Sequence, residues 1–77
     1  MNVEVLTPDT LVFEGEAKVV TLPGLGGKFQ IMDNHAPLIA ALGAGTVTID
    51  KQEVQIASGF VEVVDNKVTV LAESSKG

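Results

Sequence analysis

Residues 21–38, TLPGLGGKFQIMDNHAPL in one-letter code, are the most informative stretch of this chain. They contain two of its three prolines, three of its eight glycines and its single histidine. Elsewhere the chain alternates apolar and polar residues in short runs, which is the period of a half-buried strand. A small sheet protein that concentrates its backbone-restricting residues in one stretch is shaping a surface there. The stretch does not supply a set of groups able to carry out chemistry.

The glycines of residues 23–27 interrupt the strand pattern, which resumes over residues 28–32. The pair Gly27-Lys28 has the look of a phosphate-binding loop, but such a loop needs a glycine five residues earlier and a hydroxyl residue after the lysine. Those positions hold Leu22 and Phe29, and no helix pattern follows. We therefore predict a tight loop in which glycine supplies a positive φ.

The remaining pattern is β throughout. Residues 16–22 carry apolar groups on both faces, so we expect that strand to be covered on two sides. Pro37 cannot donate to a central ladder, so residues 36–42 are expected at an edge or a bulge. The other predicted strands lie near residues 3–5, 11–15, 46–50, 53–56, 60–64 and 67–71, with turns at Pro8-Asp9, Asp33-Asn34, Lys51-Gln52 and Asp65-Asn66.

Many short strands at close turn spacing predict an all-β fold, a small antiparallel β-sandwich or flattened barrel. The chain has 77 residues, enough for one domain. We place that domain at residues 1–73 and a short frayed tail at residues 74–77.

Composition excludes several classes of partner. Ten acidic residues face five lysines, giving a formal charge of −5, and there is no arginine, tryptophan or tyrosine. Nucleic-acid binding needs a basic patch and stacking aromatics, so we do not expect it. Anionic membrane surfaces also select basic patches, and no apolar run approaches the roughly 20 residues that span a bilayer. Apolar residues make up 45% of the chain, so part of the apolar surface is expected to face outward against a partner.

The candidate catalytic and metal-binding residues are few. His35 is the single histidine and the chain has no cysteine, so a converging set of metal ligands is not expected. Ser58, Ser74 and Ser75 do not lie in the sequence context of a nucleophile. We predict neither a catalytic site nor a bound cofactor, and His35 is expected to pack or hydrogen-bond at a surface.

Lys51 offers one alternative function. Lipoyl and biotinyl carrier domains are small acidic β-modules that expose a lysine at a hairpin tip, and Lys51 lies at such a tip in the sequence Thr-Ile-Asp-Lys. Charged residues at hairpin tips also serve simply to keep an edge soluble. A carrier domain modified at Lys51 is the alternative prediction.

The order of several motifs resembles the N-terminal domain of the epsilon subunit of F-type ATP synthases, which is called delta in mitochondria. The resemblance covers nearly the whole chain. Its segments are VLTP (5–8), VFEG (12–15), VTLPG (20–24), GKFQI (27–31), HAPL (35–38), AL (41–42), GTV (45–47), SGFVEV (58–63) and KVTVLAE (67–73).

The resemblance implies a β-sandwich at the foot of the central rotor stalk. Such a subunit is not an enzyme itself: it links the gamma subunit to the c-ring and so couples proton flow to ATP synthesis. The resemblance also implies a peripheral location on the cytoplasmic face of the bacterial inner membrane. A chain that starts directly in strand pattern without a basic leader agrees with that side.

By position, the resemblance places Thr7, His35 and Ala40 at the gamma subunit, and Lys28 and Phe29 at the c-ring. Many family members have an acid where this chain has Lys28, so we expect an acidic or carbonyl-rich patch of the ring opposite it. Most members also continue into a helical hairpin that brakes ATP hydrolysis and binds ATP in some of them. Because this sequence stops at Gly77, we expect no self-inhibition and no bound nucleotide.

Overall fold

The computed structural model describes residues 1–74, and this part of the chain consists of eight strands joined by short turns. The all-β class predicted from the sequence is confirmed. The strands are β1 (Asn2–Leu6), β2 (Leu11–Glu16), β3 (Val19–Gly24), β4 (Gly27–Met32), β5 (Leu38–Leu42), β6 (Gly45–Ile49), β7 (Gln52–Val64) and β8 (Lys67–Ser74).

One long strand divides the sheet into two layers. The 13-residue β7 pairs with β6 through its first half and with β5 through its second half, while β8 runs beside it. The first half continues through β6 to β3 and β4, which form the four-stranded layer. The second half continues through β8 to β1 and β2, and with β5 these form the five-stranded layer. The result is the expected β-sandwich.

The core lies between these layers and is entirely apolar among the described residues. Both layers contribute alternate residues to a single cluster, because successive side chains of a strand point to opposite faces. The most deeply buried side chains are Val3, Val5, Val20, Leu22, Ile31, Val47, Ile49, Ile56, Val61, Val63, Val68 and Val70.

The sandwich is antiparallel except at one pair of strands. β1 and β8 run parallel, with Val3 opposite Val68 and Val5 opposite Val70. These strands lie at opposite ends of the sequence, so no hairpin turn fixes their relative direction. The antiparallel sandwich predicted from the sequence is confirmed, and the parallel pairing of β1 with β8 is an addition that the sequence did not indicate.

Two strands extend through segments where the sequence predicted breaks. β7 continues between the predicted strands 53–56 and 60–64, with a register shift between Ile56 and Ser58. β3 continues through Pro23, which pairs with Lys28 and whose carbonyl accepts a hydrogen bond from the Gly43 amide at 2.8 Å. Long-range pairing therefore overrides the weak local strand preference of these residues.

Several turns contain Asp or Asn residues in the left-handed backbone conformation, which these residue types tolerate. Asp65 and Asn66 have φ of 50° and 62° and join β7 to β8 in the predicted two-residue turn. The β6–β7 turn lies at Asp50-Lys51, one residue before the predicted position. The carboxylate of Asp50 accepts hydrogen bonds from the amides of Lys18 at 3.0 Å and Val19 at 3.1 Å, which ties this turn to the start of β3.

The remaining strand predictions have mixed outcomes. Val20 and Leu22 are fully buried while Val19 and Thr21 are half-buried, so β3 is covered completely on one face only. β5 pairs with β7 over five residues but meets β3 only where Leu42 lies opposite Gly24, which confirms its edge position. Of the expected tail, Ser74 ends β8, and residues 75–77 lie outside the described residues.

Candidate partner-binding surface

The outward faces of the two layers differ in chemistry. The centre of the four-stranded layer presents polar side chains that hydrogen-bond across strands: Gln30 Nε2 donates to Thr21 Oγ1 at 3.3 Å, and Gln55 Nε2 donates to Thr46 Oγ1 at 2.7 Å. The polar groups at this centre therefore find hydrogen-bond partners in one another and in water. The five-stranded layer instead exposes large apolar side chains, which mark interaction sites when they are contiguous.

These apolar residues form a row across all five strands. Directly opposed positions share a face, and the register aligns Ala41 with Phe60, Phe60 with Leu71, Leu71 with Leu6, and Leu6 with Leu11. We call these five residues the apolar row. Phe60 is 58% exposed, Leu71 56% and Leu11 46%. The row is therefore a continuous apolar strip, and the rest of residues 1–74 leaves these three members of it uncovered.

A groove lies at the row. It has a volume of about 450 Å³ and is bounded by row residues together with the loop after β1. Its floor includes Gly59, which lies so close to β8 that an added Cβ would stand 2.4 Å from the Leu71 carbonyl oxygen. The lining residues are Leu6, Thr7, Pro8, Ala41, Leu42, Ser58, Gly59, Phe60, Leu71, Ala72 and Glu73. Its chemistry suits an apolar side chain of a partner.

An acidic row lies next to the apolar row on the same face. The register aligns Ile39 with Glu62, Glu62 with Thr69, Thr69 with Glu4, and Glu4 with Glu14. We call Glu62, Glu4 and Glu14 the acidic row. Lys67 Nζ lies 3.6 Å from Glu4 Oε1 and forms an ion pair with this member of the row. Two of the carboxylates, Glu4 and Glu14, are direct cross-strand partners and repel each other.

The structure separates the three residues that the sequence assigned to a gamma-type partner. Thr7 lines the groove. Ala40 points inward and packs against the core, whereas its neighbours Ile39, 73% exposed, and Ala41 point outward. His35 is exposed in the β4–β5 loop, where its amide donates to the Met32 carbonyl at 3.2 Å and its ring Nδ1 lies 2.7 Å from the Ala36 carbonyl oxygen.

His35 and Thr7 lie at opposite ends of the five-stranded layer. Thr7 follows β1, whereas the turn before His35 is attached to the other end of β1 and to the β7–β8 turn. The Asn34 amide donates to Asn66 Oδ1 at 2.7 Å, and the Met1 ammonium donates to Asp33 Oδ1 at 2.5 Å. Of the three residues predicted to contact gamma, Thr7 therefore lines the groove and Ala40 lies next to the lining residue Ala41.

The N-terminal ammonium is a fixed part of this turn. It also donates to the Ala17 carbonyl at 3.1 Å and lies 3.5 Å from Glu16 Oε1. The hydrogen bond that this amine donates to Asp33 raises its pKa above the ordinary value of 8.0, burial acts in the opposite direction, and the charges of Asp33 and Glu16 add to the rise. The charged amine therefore stabilises the position of the loop that carries His35.

The β3–β4 hairpin carries the two residues assigned to the c-ring. Its tip is Leu25-Gly26, between the paired residues Gly24 and Gly27, and Gly27 has the predicted positive φ, 129°. Lys28 is exposed. Phe29 lies opposite Leu22, packs against the core and covers Gly24, whose added Cβ would stand 2.8 Å from the ring.

The structure adds no supporting residues to the other two candidate sites, the modification site at Lys51 and a metal site. Lys51 is exposed at its hairpin tip, where Asp50 is already engaged with the start of β3. No three metal-binding side chains converge within residues 1–74. The described residues also contain no helix that is long and apolar enough to cross a membrane.

Sequence reasoning predicted outward apolar surface, which the structure confirms, but not its location. The residues that it missed are Leu6, Phe60 and Leu71. Each sits beside a buried valine, in the pairs Val5-Leu6, Phe60-Val61 and Val70-Leu71. Of two consecutive apolar residues in a strand, one lies on each face. These three breaks in the apolar–polar alternation therefore indicated that an apolar side chain faces outward.

Comparison with known proteins gives one consistent result. Residues 1–76 match the family described as the ATP synthase delta/epsilon chain, beta-sandwich domain. The chain is 39% identical to the ATP synthase epsilon chain of Salinibacter ruber, covering 96% of this chain and 58% of that protein. It is 40% identical to the ATP synthase epsilon chain of Leptospira borgpetersenii, covering 95% of this chain and 61% of that protein. It thus spans about three fifths of these two relatives.

A relative of similar length also matches. The ATP synthase epsilon chain of Chlorobium limicola is 49% identical over 94% of this chain and 88% of that protein. Two solved structures share the fold: the central stalk and c-ring of the Tetrahymena thermophila mitochondrial ATP synthase, and the Euglena gracilis mitochondrial ATP synthase. The first has a TM-score of 0.82 at 14% identity, covering 95% of this chain and 63% of that chain. The second has a TM-score of 0.80 at 18% identity, covering 91% of this chain and 48% of that chain.

Proposed function

Because the chain belongs to the delta/epsilon chain family of ATP synthases, we propose that it is a non-catalytic subunit of the central stalk. In this role it links the gamma subunit to the c-ring of a proton-translocating F-type ATP synthase and couples proton flow to ATP synthesis. The single observation that carries the proposal is the apolar row with its groove, an exposed strip on one face of a sandwich whose other face is polar at its centre.

The gamma subunit is the proposed occupant of the groove. Thr7 lies in the groove, and Ala40 fixes β5 against the core so that Ile39 and Ala41 face outward. His35 makes a separate contact at the far end of the layer, from a turn held by the N-terminal ammonium. Contacts at both ends of a rigid layer suit the transmission of torque, because they resist rotation of one body against the other.

The c-ring is the proposed partner of the β3–β4 hairpin. Lys28 and the tip residue Leu25, which is 74% exposed, present a charge and an apolar side chain to the ring. Phe29 acts behind them, because its ring packs on Gly24 and the core and so holds the hairpin in place. The lysine favours an acidic or carbonyl-rich patch on the ring surface.

In this proposal the subunit is a peripheral part of the complex at the cytoplasmic face of the bacterial inner membrane. The chain acts through packed surfaces and binds no nucleotide and no cofactor in this proposal. The matches to ATP synthase epsilon chains do not support the alternative of a carrier domain modified at Lys51.

The test is reconstitution with purified gamma subunit and c-ring from the same source. We expect the chain to bind gamma alone, and the c-ring to join gamma more tightly when the chain is present. Phe60→Ser is expected to weaken gamma binding, and Lys28→Glu is expected to weaken ring attachment with gamma binding unchanged. A chain that does not bind gamma under these conditions contradicts the proposal, as does a Lys28→Glu variant with tighter ring attachment.

A further inference from the structure

We propose that the gamma-subunit segment that packs along the apolar row carries Lys or Arg side chains on its flank facing the acidic row. This inference rests on the proposed function and adds the charge and orientation of the partner. It follows from two neighbouring rows on one face, one of which takes apolar side chains while the other attracts cations.

The dimensions of the face suit a single amphipathic segment. Neighbouring strands lie about 4.8 Å apart, so a row across five strands is about 19 Å long. Residues two apart along a strand are about 6.7 Å apart, which is the separation of the two rows. A helix about 10 Å in diameter that lies along the apolar row brings its flanking side chains over the neighbouring row.

The distribution of charge selects a basic flank. The acidic row holds Glu62, Glu4 and Glu14, and the opposite side of the groove adds Glu73. Within residues 1–74, the lysines outside this layer are Lys18, Lys28 and Lys51, which lie at the edges and turns of the four-stranded layer. Lys67 is the lysine of the five-stranded layer, and it lies beyond the acidic row, beside Glu4.

Other occupants fit less well. A second copy of this chain has the same net charge of −5 and brings acidic rows together, which is unfavourable. A metal ion lacks a converging set of three ligand side chains anywhere in the described residues. A protein segment with apolar and basic side chains satisfies both rows at once.

The test combines charge removal with salt titration. The triple variant Glu4→Gln, Glu14→Gln, Glu62→Gln keeps the shape of the face and removes its charge. Association with purified gamma subunit is measured by stopped-flow fluorescence or biosensor at ionic strengths from about 20 mM to 300 mM, a range in which the Debye length falls from about 20 Å to about 6 Å. Glu53→Gln, on the outward side of the four-stranded layer, is the matched control, and thermal unfolding verifies that each variant is folded.

We expect the triple variant to associate about tenfold more slowly at low ionic strength and to lose most of the salt dependence, because steering acts mainly on the association rate. Glu53→Gln should behave as the parent chain. An unchanged rate and salt slope in the triple variant, with Phe60→Ser still impairing binding, overturns the charge assignment and leaves the proposed function intact. Absence of gamma binding by the parent chain contradicts both, and concentration-dependent self-association of the parent chain through this face overturns the choice of occupant.

Discussion

Phe60 is the direct cross-strand partner of Leu71, and both side chains are more than half exposed on the outward face of the five-stranded layer. Their neighbours Val61 and Val70 form the next pair and are fully buried on the inward face. Adjacent residues of the same two strands therefore serve different purposes. One pair stabilises the sandwich, and the other lies where a partner can cover it.

This arrangement predicts opposite effects for substitutions at adjacent residues. Val61→Ala removes buried methyl groups and should cost about 2 kcal/mol of folding free energy. Phe60→Ser should change stability by less than about 1 kcal/mol and weaken gamma binding by about tenfold or more. Urea denaturation and a gamma-binding titration measure the two effects.

The matched control for Phe60→Ser is Val64→Ser, on the same strand and the same face but outside the apolar row. Val64 is 44% exposed and lies opposite Lys67. Its substitution should leave gamma binding unchanged. Equal losses of binding at residues 60 and 64 contradict the assignment of the apolar row.

Gly59 and Gly26 should respond differently to alanine. A Cβ at Gly59 stands 2.4 Å from the Leu71 carbonyl oxygen and 3.0 Å from Ala72 Cα, both of them backbone atoms that cannot move without shifting β8. Gly59→Ala should therefore cost several kcal/mol or prevent folding. Gly26, at the β3–β4 hairpin tip, has no atom within 4 Å of an added Cβ, and Gly26→Ala should be close to neutral. Thermal unfolding distinguishes them, and equal melting temperatures contradict the close approach of β7 and β8.

Asp50 should tolerate asparagine but not alanine. Its carboxylate accepts two backbone hydrogen bonds from the start of β3, and its φ of 53° favours Asp or Asn. Asp50→Ala should cost about 1–3 kcal/mol, because it leaves two amides without this acceptor and places alanine at a positive φ. Asp50→Asn retains an acceptor oxygen and should cost less than half as much. Chemical denaturation of both variants is the measurement, and identical costs show that the side-chain oxygen is not the stabilising group.

Stability should fall at alkaline pH through the N-terminal amine. The folded-state pKa of this group is raised above 8.0, with the Asp33 hydrogen bond as the largest cause. Its contribution is therefore fully present below pH 8 and is lost as pH rises through the higher folded pKa. Asp33→Asn removes the charge of the main partner, so the variant should lose less stability than the parent chain between pH 8 and 10. Urea titrations at fixed ionic strength check this, and parallel stability curves for the two proteins contradict it.

The sequence predicted the strands whose alternation is strict and whose turns carry their own signal. Val47 and Ile49 alternate with threonines before a turn, and Asp65-Asn66 joins the last two strands, as the structure confirms. The continuity of β7 through Ser58 was missed because it depends on pairing with β8. The parallel pairing of β1 with β8 was missed because no local residue specifies the neighbour of a chain end.

The partner surface was predictable in kind but not in position. A high apolar fraction indicated exposed apolar surface, and the structure places it on one layer. The row exists only after five strands are in register, since Leu6, Phe60 and Leu71 are far apart in sequence. The same applies to Ala40, because the register of β5 against β7 decides that Ile39 and Ala41 face outward and Ala40 inward.

A gamma subunit that covers the groove should shield its side chains from reagents in solution, and labelling of single cysteines detects this shielding. The chain contains no cysteine, so Thr7→Cys in the groove and Glu53→Cys on the outward side of the four-stranded layer each give one reporter. The rate of maleimide labelling is measured for each with and without saturating gamma subunit. We expect gamma to slow labelling at residue 7 by at least about tenfold and to leave the rate at residue 53 unchanged. Equal labelling rates at residue 7 in the free and gamma-bound states contradict it.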